Sequence, residues 1–104
     1  MAQEMPREDF DFETSLKEEV REPKRYKVLL HNDDYTTMEF VVRVLKEVFH
    51  KNDAEATYIM LSVHNKGLGV CGVYPLEVAE TKVSLVHKRS REAGFPLKCS
   101  LEEV

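Results

Sequence analysis

Between residues 26 and 101 of this 104-residue chain the spacing of apolar residues switches repeatedly between two and about 3.6, and few folds accommodate that alternation. YKVLLH at 26–31 is short, aromatic and β-branched, which predicts a strand. Met38, Val41, Val44/Leu45 and Val48/Phe49 then fall on one helical stripe, and Thr36-Thr37-Met38-Glu39 has the spacing of a capping box ahead of it. Asn52-Asp53-Ala54-Glu55 predicts a second helix start, with Ala56, Ile59, Met60 and Val63 on one face and Gly67 as the stop. LGVCGVY at 68–74 predicts a strand whose glycines suit a bulge or a close backbone approach. Pro75 suits the first turn of a third helix carrying Ala79, Val83 and Val86 and ending at Gly94. Leu97, Cys99 and Leu101 alternate in a last strand over 95–101, where Pro96 marks an edge or a start. The order is β-α-α-β-α-β, with connections too short for parallel crossovers throughout. An α+β fold follows: a three-stranded, mainly antiparallel sheet with three helices packed on one face.

Residues 1–25 differ from this core, which runs over 26–104. They hold eight acidic and five basic residues with few aliphatics, so they cannot bury enough surface to offset their ordering entropy. A disordered acidic N-terminal arm is expected there. The net charge of −4 argues against nucleic acid as a partner, because phosphate binding rests on clustered Lys and Arg. No apolar run approaches the roughly 20 residues of a membrane span, and the first residues form no export signal, so a cytoplasmic protein is expected. Cys71 and Cys99 lack CxxC spacing and sit in apolar context, as reduced core residues would.

Asn32, Asp33 and Asp34 pose the functional question, since adjacent carboxylates repel. Asp34 or Thr36 is enough to cap the following helix, a role worth about 1 kcal/mol, while Asn32 and Asp33 shape the turn. The helix N-terminus also keeps such carboxylates ionised, so the cluster is equally a cation site. No EF-hand pattern and no close His/Cys spacing accompanies it, so neither a metal nor a cofactor is expected. An ammonium group on a ligand is the remaining cation. His64 is either a histidine near a helix C-terminus or a further acceptor for that group. Met38, Val41, Met60 and Val63 are either core or the lining of a hydrophobic pocket beside it. Glu77 to Lys82 (EVAETK) is an exposed charged helix face. Asp33, Asp34 and His64 form an acid/base set without a nucleophile, a phosphate loop or a cofactor, so the chain is not expected to be an enzyme.

NDDYTTMEFV, MLSVH, GVCGVYPLEVAETKV and PLKC occur in this order between Asn32 and Cys99. With these motifs the chain resembles the ClpS family, bacterial adaptors that deliver N-end-rule substrates to a Clp unfoldase. The resemblance spans residues 26–101 and implies a monomeric adaptor for N-terminal Leu, Phe, Tyr or Trp. It implies that Asn32, Asp33, Asp34, Thr36 and His64 surround the substrate's α-amino group, with Asp34 preferred for the direct contact. Met38, Val41, Met60, Val63 and Leu97 would line the side-chain pocket, Met38 acting as a gate against β-branched residues. Glu77, Thr81 and Lys82 would dock on the N-terminal domain of a ClpA- or ClpC-type unfoldase, and the arm would help hand the substrate over. Thr37 stands where the family usually has proline, which is expected to loosen the start of the helix slightly. The alternative is a module that docks on the unfoldase and modulates it without an amine pocket.

Overall fold

A computed structural model describes residues 23–104, where three strands and three helices follow in the expected order. β1 spans Arg25–His31, β2 Leu68–Pro75 and β3 Lys98–Glu103. α1 spans Met38–Glu47, α2 Asp53–Lys66 and α3 Leu76–Ala93. The arm expected over residues 1–25 lies, up to residue 22, outside the described residues, and Arg25 already pairs with Pro75 in the sheet.

The strands run β2-β1-β3 and both pairings are antiparallel. The central place falls to β1, whose Val28 and Leu30 are completely buried. β2, with Gly69, Gly72 and Pro75, lies at an edge, where a missing ladder hydrogen bond costs least. Pro96 delays the last strand, so β3 begins at Lys98 rather than at Phe95. In β2 the register slips between Val28↔Gly72 and Leu29↔Val70, leaving Cys71 as the extra residue of a bulge. Cys71 and Cys99 are free and buried, and burial pushes both thiols up, Cys99 to about 12.

The first helix starts differently from the predicted capping box. Thr37, not Thr36, is the N-cap of α1, and its hydroxyl accepts from the Phe40 amide at 3.1 Å. Thr36 is unavailable because its hydroxyl donates to Asp33 Oδ2 at 2.7 Å. Glu39 is then one residue short of the position a capping box requires. Thr37 holds φ at −75°, close to the value proline would impose, and adds a cap that proline lacks. α2 has the predicted ends, with a reciprocal Asn52–Glu55 capping box and Gly67 left-handed at φ 90°. Pro75 closes β2 and is the N-cap of α3 without a side-chain cap, so strand passes to helix with no loop between them.

One core holds the layers together: Val28, Leu30 and Cys71 from the sheet meet Val44, Leu45, Ala56, Val63, Ala79 and Val86 from the helices. Phe40 of α1 also packs on Phe95 beyond α3, with ring centroids 4.9 Å apart. No helix among the described residues is long and apolar enough to cross a membrane.

Gly69 sets how closely α2 lies on β2. A Cβ there would stand 2.8 Å from Val63 Cγ2 and 3.1 Å from the Ile59 carbonyl oxygen. Gly69→Ala must push the helix off the strand. A loss of about 1–3 kcal/mol in urea unfolding is expected, as for other overpacked cores.

Candidate functional site

β1 ends at His31, and the chain turns through Asn32–Asp33–Asp34 before α1 begins. Asp33 builds this turn. Its Oδ1 accepts from the amides of Tyr35 at 2.8 Å and Thr36 at 2.7 Å, while Oδ2 takes the Thr36 hydroxyl. Partial burial works against its charge, yet these Thr36 and Tyr35 hydrogen bonds outweigh it and hold the carboxyl below its ordinary value. Asp34, next along, is exposed and makes no side-chain hydrogen bond or ion pair among the described residues. Adjacent carboxylates therefore have different occupations, one structural and one available.

The turn faces the C-terminal half of α2 because the backbone ties them together. The Asn32 amide donates to the Gly67 carbonyl at 2.9 Å, just after the helix ends. Gly67 in turn caps α2 by donating to the Val63 carbonyl at 3.0 Å. These links bring His64, far away in sequence, to the same cavity as the acidic turn.

That cavity has a volume of about 270 Å³ and is lined by Asn32, Asp33, Asp34, Thr36, Met38, Val41, Met60, Val63 and His64. It lies just below the roughly 300–1,000 Å³ of pockets for drug-sized ligands, so it suits a single amino-acid-sized group. Its lining combines carboxylates, an amide and an imidazole with thioethers and valines. Met38 is 44% exposed at the rim, whereas Val41 and Val63 are buried. An arrangement of this kind can hold a cation bonded to an apolar side chain. Leu97 is not part of this wall: it is 3% exposed and borders a separate depression with His87, Ser90, Arg91 and Lys98. Among the described residues no group of three or more His, Cys, Asp or Glu side chains could hold a metal ion.

The helix face singled out in the sequence is a separate surface. Glu77 and Thr81 border a shallow depression on α3 with Glu80, Ser84, Leu85 and Lys88. Lys82 instead turns inward: its ammonium donates to the Val48 carbonyl at 2.6 Å and lies over the rings of Phe49 and Tyr74. Nothing in the EVAETK pattern signalled this contact, since it depends on where α1 ends.

The sequence model of the family described as "ATP-dependent Clp protease adaptor protein ClpS" matches residues 21–100. This chain belongs to the ClpS family. It is thus a Clp protease adaptor rather than an enzyme. It is 63% identical over 100 residues to the ClpS adaptor of Nitratidesulfovibrio vulgaris, covering 96% of this chain and 100% of that one. The Wolinella succinogenes adaptor is 62% identical over 95 residues, covering 89% of this chain and 93% of that one. A solved structure of Agrobacterium tumefaciens ClpS2 bound to L-phenylalaninamide superposes with a TM-score of 0.77 at 42% identity, over 80% of this chain and 100% of that one.

Asp33 gives the site a pH signature. Its lowered carboxyl pKa contributes stability above the ordinary value of 3.8, and that contribution is lost as pH falls through the folded-state value. Asp33→Ala should therefore be less stable than the parent at neutral pH, with the gap closing below the ordinary carboxylate range. Urea unfolding across pH 2–6 measures it.

Proposed function

We propose that this adaptor recognises the N-terminal residue of substrate proteins, reading the free α-amino group and a hydrophobic first side chain together. The observation that carries the reading is one cavity lined both by Asp34, Asn32 and His64 and by Met38, Val41, Met60 and Val63. An α-amino group has a pKa near 8 and three N–H donors, so at neutral pH it matches this polar edge. Asp34 takes the direct contact, because the Asp33 oxygens already accept three hydrogen bonds in the turn. Asn32 and His64 supply further acceptors, with Thr36 beside them.

The apolar half takes an unbranched-at-Cβ side chain: Leu, Phe, Tyr or Trp. Met38 at the rim acts as the gate that rejects β-branched residues. Leu97 enters this reading as buried support rather than as wall. The L-phenylalaninamide bound to the Agrobacterium relative, an amino-acid amide with a free amine and an aromatic side chain, supports the same pairing. Captured substrates are delivered to a ClpA- or ClpC-type unfoldase of the Clp protease, whose N-terminal domain meets the α3 face at Glu77 and Thr81. Lys82 contributes there through its stem, its ammonium being engaged with Val48.

Fluorescence anisotropy with a labelled peptide beginning with phenylalanine tests the pocket. The free-amine peptide should bind, whereas its N-acetylated twin and a version beginning with isoleucine should not. Asp34→Ala or His64→Ala should weaken binding roughly 10- to 150-fold, the worth of one hydrogen bond to a charge. Equal binding of the acetylated twin would show that the amine is not read. Glu77→Lys should abolish capture of the unfoldase N-terminal domain on a column while leaving phenylalanine-peptide affinity unchanged.

A further inference from the structure

The most exposed large hydrophobic side chain among the described residues belongs to the acidic turn beside the cavity. Tyr35 is 76% exposed, and its ring has no aromatic partner among the described residues. Its backbone is nevertheless well held, the amide donating to Asp33 Oδ1 at 2.8 Å. It lies between Asp34 and Thr36, both of which line the cavity, while Tyr35 itself does not. The turn thus holds the Tyr35 backbone in place while leaving its ring free beside two residues of the cavity lining.

We propose that Tyr35 is a specificity residue for the second position of the substrate, its ring packing against an apolar side chain there. The inference rests on the amine-pocket reading. In that reading the first residue sends its amine to Asp34 and its side chain between Met38 and Val63, so its carbonyl must leave through the mouth. The second residue follows within one Cα spacing of about 3.8 Å, and Tyr35 is itself the immediate neighbour of Asp34. A tyrosine ring is long enough to cover a side chain at that distance and loses little conformational freedom in doing so. Glycine at the second position presents nothing to the ring; leucine or another extended apolar side chain presents a full face.

Three ligands separate the contributions: L-phenylalaninamide, which lacks a second residue, and two labelled peptides beginning Phe-Gly and Phe-Leu. The parent protein should bind Phe-Leu more tightly than Phe-Gly. Tyr35→Ala should weaken Phe-Leu roughly three- to tenfold, the range of one aromatic contact, and erase the preference over Phe-Gly. Its affinity for L-phenylalaninamide, measured by competition, should stay within twofold of the parent. Tyr35→Phe should keep the preference, since the ring and not the hydroxyl makes the contact. Tyr58→Ala is the control: that tyrosine is 73% exposed but borders a different depression, with Leu61 and Asn65, and should change nothing. Unchanged Phe-Leu binding by Tyr35→Ala overturns the proposal. So does equal weakening of all three ligands, which would mean the substitution acts through the Asp33 turn. Failure of the parent protein to bind L-phenylalaninamide overturns the amine-pocket reading itself, a result distinguishable from either of these.

Discussion

The 2.9 Å hydrogen bond from the Asn32 amide to the Gly67 carbonyl joins the two halves of the candidate site. On one side is the turn leaving β1; on the other is the end of α2. Gly67 can offer its carbonyl there because it is left-handed at φ 90°, a conformation that costs glycine little. Strand pairing continues the tie at once, since His31 lies opposite Leu68. The acidic turn is thus fastened to the end of α2 by backbone groups, which leaves the Asp34 side chain free of structural duty. Gly69 adds the third constraint by letting Val63 approach the sheet closely.

The acidic turn shows how two like-charged neighbours can coexist. Asp33 spends its oxygens on the Tyr35 amide and on the amide and hydroxyl of Thr36, which spreads its charge over three donors. The Asp34 carboxylate remains in water beside the cavity, where little desolvation cost opposes its charge until a cation arrives. A ligand ammonium there would meet an unengaged carboxylate without the Asp33 turn having to rearrange.

On the far side of the core, Lys82 ties α3 to the end of α1. Its ammonium sits on the Val48 carbonyl, 5.9 Å from the Phe49 ring centroid and 5.7 Å from that of Tyr74. A lysine at a helix C-terminus meets the negative end of the helix dipole, and the flanking rings add a cation–π contribution. The exposed ion pair of Arg89 with Glu47 repeats the connection one face away and counts for less, being open to water. Both α1, which carries Met38 and Val41, and α3, which carries Glu77 and Thr81, are held in one rigid arrangement by these contacts.

Local chemistry made most of the elements legible. The stripe Ala56–Ile59–Met60–Val63, the Asn52–Glu55 box and the two terminal glycines, Gly67 and Gly94, lie where the sequence places them, because each depends on neighbours within four residues. The start of α1 was misjudged by one residue, since a competing acceptor, Asp33, draws off the Thr36 hydroxyl. The motifs also pointed to the family. Three matters belong to tertiary structure alone: that His64 shares a cavity with Asp34, that Leu97 lies outside the cavity wall, and that Lys82 turns inward. Each depends on where one element ends against another distant in sequence. Periodicity reports which face of a helix is buried, whereas the meeting of two helix ends is set by backbone hydrogen bonds that every residue type can make.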